Sequence, residues 1–349
     1  MRRILVVGPS WIGDTILAQP LFKLLHARHG SLGLDVLAPP WTVPLVERMP
    51  EVLRAFGNPA GHGELRLARQ WRTARETMRR SYDQAIVLPN SFKSALVPWL
   101  ARIPVRTGYR GELRYVLLND ARRVDERRHP QIAQRYAALA LERGKSLPAA
   151  LPFPRLRVDD RQRSATLARL GLDPDRSAVA LCPGAEYGPA KRWPVRHYGI
   201  LAQRLGALGH AIWLVGSAAD AGTGAEIARL APDAARNLCG RTTLGEAVDV
   251  LASTRLVVSN DSGLMHVAAA LDRPVFALFG SSSPAYTPPL SPHARILRLD
   301  LPCSPCFERE CPLGHFKCLV ELTPDRVLAE IESAGARGGG ILDKKPERH

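Results

Sequence analysis

Short apolar runs rich in β-branched residues alternate along the chain with segments whose apolar residues recur at helical spacing. In the first half, the runs at 4–7, 34–37 and 84–88 predict strands, and segments such as 15–29, 42–49 and 65–80 predict helices. Strands that alternate with helices are typical of α/β domains built on a parallel sheet. The first half is therefore predicted to be a Rossmann-like domain.

The same alternation begins again after residue 176. Strands are predicted at 179–182, 211–215, 256–259 and 275–278, and helices at 195–208, 221–230, 244–253 and 262–271. Between the halves Pro, Arg and Asp are concentrated, as is typical of a linker. We predict a domain at 1–155, a linker region at 156–176, a second Rossmann-like domain at 177–334 and a disordered tail at 335–349. Two such α/β domains facing each other place the carboxyl ends of their strands around a central cleft.

Composition narrows the class of protein. The 349 residues contain 48 Lys and Arg against 33 Asp and Glu, a formal charge of +15, and 46% are hydrophobic, which excludes a disordered or fibrous chain. No run approaches the roughly 18 apolar residues of a spanning helix, and the N-terminal apolar run is too short for a signal peptide, so we expect a cytoplasmic protein. The basic excess alone fits nucleic acid, an anionic membrane surface or acidic small substrates.

A polar loop follows the first predicted strand, at the edge where α/β sheets bind ligands. This loop, at 8–14, lacks the G-x-G-x-x-G pattern of nicotinamide dehydrogenases and ends in Asp14. Asp14 is either the N-cap of the following helix or a carboxylate that serves as a general base. The residues alone leave both interpretations open.

Two loops of the second half suit an anionic ligand. The loop at 182–194 offers Lys191 as a counter-charge for phosphate. Residues 259–266 follow a strand and open a helix, where backbone N–H groups and the helix dipole favour a diphosphate. The alternative for this second loop is an ordinary N-cap made by Asn260 or Asp261.

Four motifs, taken together and in this order, resemble the bacterial lipopolysaccharide heptosyltransferase II family of glycosyltransferase family 9. They are G-P-S-W-I-G-D at 8–14, P-N-S-F-K-S-A-L at 89–96, C-P-G-A-E-Y-G-P-A-K-R-W-P at 182–194 and N-D-S-G-L-M-H at 260–266. The resemblance covers about residues 1–332. It implies a GT-B fold and an inverting transfer of heptose from ADP-heptose to the first heptose of the Kdo2-lipid A inner core.

The resemblance also implies roles for individual residues. Asp14 is implied as the general base, and Lys191 as the catalytic cation at the departing diphosphate, with no cofactor required for catalysis. Asp220 is a further candidate, for the ribose hydroxyls of the donor, with a helix cap as its alternative. The expected donor-binding residues are Gly184, Lys191, Asp220, Asp261, Ser262, Gly263, Leu264 and His266.

The acceptor implied by the resemblance carries phosphates and Kdo carboxylates, so its site is expected to be basic and to lie mainly in the first half. Part of the charge is expected to hold the enzyme peripherally against the anionic inner leaflet of the inner membrane, and no nucleic-acid partner is expected. The 106–114 segment is predicted to be irregular, and for its arginines a solvated basic face is the alternative. The acceptor-binding candidates are Asn90, Ser91, Lys93, Arg106, Arg110 and Arg114.

A cysteine cluster near the C-terminus fits this scheme poorly. Cys303, Cys306, Cys311 and Cys318 have the spacing of metal ligands, with His315 among them. A structural metal, reduced thiols and a redox-dependent disulfide are the three interpretations, and the resemblance does not decide among them.

Two other functions are weighed against the main one. A heptosyltransferase that acts at another core position would share the donor motifs and differ in its acceptor. A basic Rossmann-like nucleic-acid-binding protein would explain the charge and would show strongly salt-dependent binding. The Trp11-Ile12 form of the first loop and the motif at 90–96 favour the heptosyltransferase II family over another heptosyltransferase. The sequence carries no recognised nucleic-acid-binding module, which argues against the second alternative.

Overall fold

The structure, a computed structural model, describes residues 1–58 and 67–338. The start of the helix predicted at 65–80 and most of the predicted tail lie outside the described residues. The chain divides into two compact units. The first comprises Met1–Arg157 together with Ala285–Thr287, and the second comprises Val158–Pro284 and the chain from Pro288 onward.

The first unit contains a six-stranded sheet in which all neighbouring strands are parallel, in the order β3-β2-β1-β4-β5-β6. The central strand β1 is buried from Ile4 to Val7, as expected for a parallel strand covered on both faces. Val6 of β1 pairs with Val36 on one side and Ile86 on the other. The strands are β1 Arg2–Val7, β2 Leu32–Ala38, β3 Arg54–Gly57, β4 Gln84–Val87, β5 Val105–Tyr109 and β6 Asp120–Arg122.

The helix predicted at 15–29 is two helices. The chain breaks at Ala18 because Pro20 has no N–H to donate, so the second helix starts anew with Pro in its first turn. The helices of this unit are α1 Ile12–Leu17, α2 Gln19–Arg28, α3 Val43–Val46, α4 Leu67–Met78, α5 Leu96–Leu100 and α6 Ile132–Ala138.

The second unit contains another parallel six-stranded sheet, in the order β12-β11-β10-β7-β8-β9. Its central strands β7 and β10 are buried at every position. The strands are β7 Ala178–Cys182, β8 Ala211–Leu214, β9 Ala235–Asn237, β10 Leu256–Asn260, β11 Val275–Leu278 and β12 Ala294–Leu297. The helices are α7 Asp160–Leu170, α8 Val195–Ala207, α9 Ala221–Leu230, α10 Leu244–Ala252, α11 Gly263–Ala270, α12 Lys317–Val320 and α13 Pro324–Gly338.

The ends of the second unit differ from the sequence prediction. Helix α7 lies inside the predicted linker, yet it packs on α10, and Thr166 Oγ1 donates a hydrogen bond to the buried Asp249 carboxylate at 3.0 Å. Helix α13 continues to Gly338, four residues into the range predicted as a tail. Within the predicted linker the residues also indicate a short helix at about 162–170, and this range lies inside α7. The last residues of α13 are small or charged and give no apolar periodicity.

The strand orders define where each sheet can bind a ligand. Counted from its own first strand, each sheet has the order 3-2-1-4-5-6, the order of the Rossmann fold. In this order the connections after β1 and after β4 run in opposite directions along the sheet. The connections after β7 and after β10 do the same in the second sheet. The crevice at each of these switch points lies outside the carboxyl ends of the two strands, and it is the place where open α/β sheets bind ligands.

Candidate active site

At the switch point of the second unit, a buried ion pair joins two loops. Lys191 follows β7 and its Nζ donates to Asp261 Oδ2, directly after β10, at 2.6 Å. The side chain of Asp261 is 5% exposed and that of Lys191 is 17% exposed. The same Asp261 oxygen accepts a hydrogen bond from Ser282 Oγ. Because an ammonium group has three N–H donors, Lys191 can contact an anion while it remains paired with Asp261.

Asn260 fixes the relative position of these two loops. Its Oδ1 accepts from the Trp193 N–H and from the Tyr198 hydroxyl, each at 3.1 Å, and its Nδ2 donates to Pro183 O at 2.7 Å. Asn260 is fully buried, so these bonds are shielded from water. The sequence offered Asn260 as a helix cap, and that interpretation is wrong.

Helix α11 starts beside the ion pair. Its N-cap is Ser262, in place of the predicted Asn260 or Asp261, and its first residue is Gly263. The first N–H groups of a helix have no partner within the helix, and the helix dipole adds positive potential there. The N–H groups of Ser262, Gly263 and Leu264 therefore carry positive potential at the start of α11, directly after Asp261.

His266 lies one turn into α11 and is 4% exposed. Burial lowers the pKa of His266 to about 4. The positive charge of Lys191 also lowers this pKa, whereas the Asp261 carboxylate raises it. The imidazole is consequently neutral at pH 7, and its Nδ1 is a buried atom without a hydrogen-bond partner. His266 is near the predicted ligand but cannot serve there as a cation.

Gly184 and Asp220, two of the residues predicted to bind the donor, are in close contact. A Cβ at Gly184 would lie 2.4 Å from Asp220 Oδ2. The same Oδ2 accepts from the N–H of Ser217 at 2.9 Å and from its hydroxyl at 2.7 Å. Only glycine permits the backbone after β7 to approach this carboxylate.

At the switch point of the first unit, Asp14 lies in the first turn of α1, and the N-cap is Trp11. The cap interpretation of Asp14 is therefore wrong. The loop is held by two bonds, from Trp41 Nε1 to Ser10 O at 3.0 Å and from Thr15 Oγ1 to Trp11 O at 2.9 Å. The half-buried Asp14 thus lies on a backbone held by these bonds, after the carboxyl end of β1.

Two tyrosines near Asp14 were not found from the sequence. Burial raises the pKa of Tyr136 well above its ordinary value, and the negative charges of Asp14 and Tyr286 raise it further. Tyr286 belongs to the short segment that joins this unit from the second half of the chain. Its carbonyl accepts from the Ile132 N–H at 3.1 Å, and the Arg135 guanidinium stacks 5.0 Å from its ring centroid. The isolated position of Tyr286 in the sequence gave no signal of this placement.

Arg114, predicted to bind the acceptor, is instead an internal anchor. It is 1% exposed, and its Nε and Nη2 donate to Tyr109 O at 3.0 and 2.5 Å. Further bonds reach Pro89 O, Ser94 Oγ and Asn90 Oδ1. Burial lowers its pKa to about 10, so it stays charged at neutral pH. These contacts place Arg114 in the framework of the Asn90 loop, away from solvent.

Arg106 is also engaged within the fold. Its Nε donates to Leu117 O at 2.7 Å and its Nη1 to Ile103 O at 2.6 Å. It lies on β5, so the prediction of an irregular segment at 106–114 is wrong for the first four residues. Arginine and glycine in β5 hide its strand character in the sequence.

The remaining acceptor candidates cluster near the end of β4. Asn90 and Arg110 are exposed, and Ser91 and Lys93 are half-buried. Glu112 joins the two segments because its Oε2 accepts from the Phe92 N–H at 2.8 Å. The candidate basic surface is thus carried by Lys93 and Arg110, with two of the four predicted cations used for structure.

The four C-terminal cysteines are brought together. All of them line one cavity of about 20 Å³, together with Ala190, Ser281 and His315. Burial raises the pKa of the Cys318 thiol, and the other three thiols raise it further. No disulfide joins any of the six cysteines, and no three His, Cys, Asp or Glu among the described residues stand as ligands around one ion.

Two parallel sheets of Rossmann order, with a lysine and a helix N-terminus at one switch point and a carboxylate at the other, define the chain as a glycosyltransferase of the GT-B type. The family profile of glycosyltransferase family 9 (heptosyltransferase) matches residues 70–317. The chain belongs to this family.

Individual relatives agree with the family. Lipopolysaccharide heptosyltransferase 2 of Salmonella typhimurium is 47% identical over 95% of this chain and 98% of its own length. The structure of Escherichia coli ADP-heptose LPS heptosyltransferase II superposes with a TM-score of 0.86, with 43% identity, over 97% of this chain and 99% of that one. Lipopolysaccharide heptosyltransferase 1 of Pseudomonas aeruginosa is 28% identical over 95% and 97% of the two chains.

Among the residues that the structure describes, no helix combines the length and the apolar composition that a membrane span needs.

Proposed function

We propose that the protein transfers L-glycero-D-manno-heptose from ADP-heptose to the first heptose of the Kdo2-lipid A inner core, with inversion at the anomeric carbon. The observation that carries this proposal is the near full-length identity of 47% to a heptosyltransferase 2, against 28% to a heptosyltransferase 1. The same comparison argues against action at another core position.

The donor diphosphate is assigned to the second unit. Lys191 and the N–H groups at the start of α11 supply positive potential from a side chain and from the backbone. As the bond to the anomeric carbon breaks, negative charge grows on the departing ADP, and preorganised donors stabilise it. Asp261 holds Lys191 in place, and Asp220, next to Gly184, is assigned to hydroxyl groups of the nucleoside.

The acceptor hydroxyl is assigned to Asp14. The hydroxyl oxygen attacks the anomeric carbon while its proton passes to the Asp14 carboxylate, and ADP leaves from the opposite face. Charge therefore balances without a cofactor: the proton resides on Asp14 and the new negative charge lies at the donor site.

The acceptor anions are assigned to Lys93 and Arg110, with Asn90 and Ser91 as hydrogen-bonding neighbours. Arg106 and Arg114 act on this site indirectly, because they fix the backbone that carries it. This division follows burial: a guanidinium at 1% exposure cannot reach a glycolipid phosphate.

An anionic membrane surface is assigned as the partner of an exposed loop beside the acceptor residues. Leu113 is 82% exposed and Val116 is 79% exposed, whereas Arg114 between them is buried. Tyr115 is also exposed, and Arg110 precedes the loop. Exposed apolar side chains next to a cation suit the boundary between headgroups and acyl chains, where a lipid acceptor presents its sugars.

The reaction is tested with purified protein, ADP-heptose and Kdo2-lipid A that carries or lacks the first heptose. Transfer only to the heptose-bearing acceptor is expected. Equal transfer to the acceptor without heptose would contradict the proposed specificity, and no transfer to either would contradict the proposed reaction.

The membrane contact is tested by flotation with vesicles that contain phosphatidylglycerol. The double substitution Leu113→Ser/Val116→Ser should reduce bound protein several-fold, whereas Leu53→Ser/Phe153→Ser, at exposed positions elsewhere on the same unit, should not. Equal binding by both double variants contradicts the assignment of the loop. Loss of self-association in the first variant would instead identify a second copy of the chain as its partner.

A further inference from the structure

The cavity that the four C-terminal cysteines line has no part in the proposed reaction. Its volume of about 20 Å³ is close to that of a single small occupant. Cys303 and Cys306 are separated by two residues, and Cys311 and Cys318 complete a set of four sulfur atoms around it. Four thiols in one small cavity have the number and type of ligands that tetrahedral zinc and iron sites use.

Two contacts at the cavity, the first of them away from the sulfur atoms, support a ligand there. Ser281 also lines it, is 1% exposed, and its hydroxyl is a buried polar atom without a hydrogen-bond partner in the described chain. The Phe316 N–H donates to Cys311 Sγ at 3.4 Å. Backbone N–H groups aimed at sulfur stabilise thiolates, the form in which cysteine binds a metal.

The backbone around the cysteines takes conformations that cost energy. Phe307, directly after Cys306, has φ 61°, and Phe316 has φ 49°. The left-handed region is unfavourable for such bulky residues, so the surrounding structure must impose these turns. Of these two residues, Phe316 lines the cavity, and Phe307 donates its N–H to the carbonyl of Ser281, another lining residue.

We propose that Cys303, Cys306, Cys311 and Cys318 bind one structural metal ion, zinc or iron, as four thiolates. Binding releases four thiol protons and forms four metal–sulfur bonds, with no change in the oxidation state of sulfur. The sulfur atoms do not yet surround one point. Rotation about χ1 moves each sulfur between staggered positions without moving the backbone, so ligation requires side-chain rotation.

This ion has a structural consequence for the donor site. Phe307 N donates to Ser281 O at 2.6 Å, and the Ala190 N–H donates to Arg309 O at 3.0 Å. Ser282, next to Ser281, is bonded to Asp261, and Ala190 precedes Lys191. These hydrogen bonds connect the cysteine-bearing loop to the loops of Lys191 and Asp261, so the ion would stabilise the backbone next to the donor site.

The metal is measured directly in full-length protein purified without oxygen or chelators. Elemental analysis by inductively coupled plasma mass spectrometry should find about one equivalent of zinc or iron per chain. The same measurement shows which of these two metals is bound. Cys306→Ser should lower the metal content several-fold. The matched variant Cys239→Ser, at a cysteine outside the cluster, should retain it.

A second readout keeps the proposal testable if Cys306→Ser does not fold. In native wild-type protein, a thiol reagent should label the four cluster cysteines slowly, and a chelator should accelerate their labelling. Labelling that is equally fast with and without chelator, or metal below about a tenth of an equivalent after incubation with Zn²⁺, overturns the proposal. An intact protein mass below that of the fully reduced chain, by the hydrogen atoms lost when one or two disulfides form, also overturns the proposal. Neither measurement requires turnover, so both remain informative if the proposed reaction fails.

Discussion

Lys191 Nζ donates to Asp261 Oδ2 at 2.6 Å, and this bond joins the two loops at the switch point of the second sheet. The carboxylate orients the ammonium group and compensates its burial, since an isolated charge in this place would be costly. The pair therefore presents a fixed cation beside the N-terminus of α11. The predictions below follow from this arrangement and from its counterpart in the first unit.

Lys191→Ala should lower kcat/KM by about 10²–10³, the usual effect of removing one preorganised donor to a developing anion. Lys191→Arg should retain part of the activity because it keeps the charge. Steady-state kinetics with varied ADP-heptose measure the effect, and Lys145→Ala, at an exposed lysine, serves as the matched control. Activity of Lys191→Ala within a factor of two of wild type would refute the assigned role.

Asp14→Asn should lower kcat by about 10²–10⁴ with little change in KM, because the amide keeps the shape but cannot take the proton. The comparison is Asp160→Asn, which changes an exposed aspartate in the first turn of α7. The two variants should unfold at similar temperatures relative to wild type. A KM effect without a kcat effect would show that Asp14 binds the acceptor and is not the base.

Gly184→Ala should raise the KM for ADP-heptose, because the new Cβ would lie 2.4 Å from Asp220 Oδ2 and would displace that carboxylate. Gly222→Ala is the control, since its Cβ would meet no atom within 4 Å and alanine favours the helix by about 1 kcal/mol. Adding Asp220→Ala to Gly184→Ala should restore thermal stability by removing the clash. If it also restored donor affinity, Asp220 would have no role in binding.

Arg114→Ala and Arg110→Ala should separate structure from binding. Arg114→Ala leaves several buried acceptors without donors and should lower the free energy of unfolding by about 3 kcal/mol or more. Arg110→Ala, at an exposed position, should leave stability within about 0.5 kcal/mol and raise the KM for the acceptor. Urea denaturation and acceptor kinetics measure the two effects, and the opposite pattern would overturn the assignment.

Stability should depend on pH through His266. Its pKa is lowered from 6.5 to about 4 in the folded protein, so between these values the unfolded chain binds a proton that the native protein does not. Above pH 6.5 His266 therefore does not reduce the free energy of unfolding. As the pH falls from 6.5 toward 4, the free energy of unfolding decreases by about 2 to 3 kcal/mol. Urea denaturation from pH 7 to 4.5 measures this loss, and His266→Gln should show a shallower pH dependence. An unchanged slope would exclude His266 as its source.

Sequence by itself determined the central features of both sheets. Continuous apolar strands such as Ile4–Val7 and the polar loops that follow them are local patterns, so the α/β class and the loops of Asp14, Lys191 and Asp261 could be predicted. The four motifs identified the family, which the comparisons confirmed. Short strands such as β5 were missed because their burial comes from neighbouring strands and not from their own composition.

Only the tertiary structure decided what each polar side chain does. Arg110 and Arg114 have the same chemistry and lie four residues apart, yet one is exposed and the other is buried among carbonyl groups. Tyr286 lies near Asp14, and Ser282 donates a hydrogen bond to Asp261. Both contacts join distant parts of the chain, so no local sequence pattern encodes them. Hydrogen-bond partners and burial are long-range properties of the fold, and they separate binding residues from structural ones.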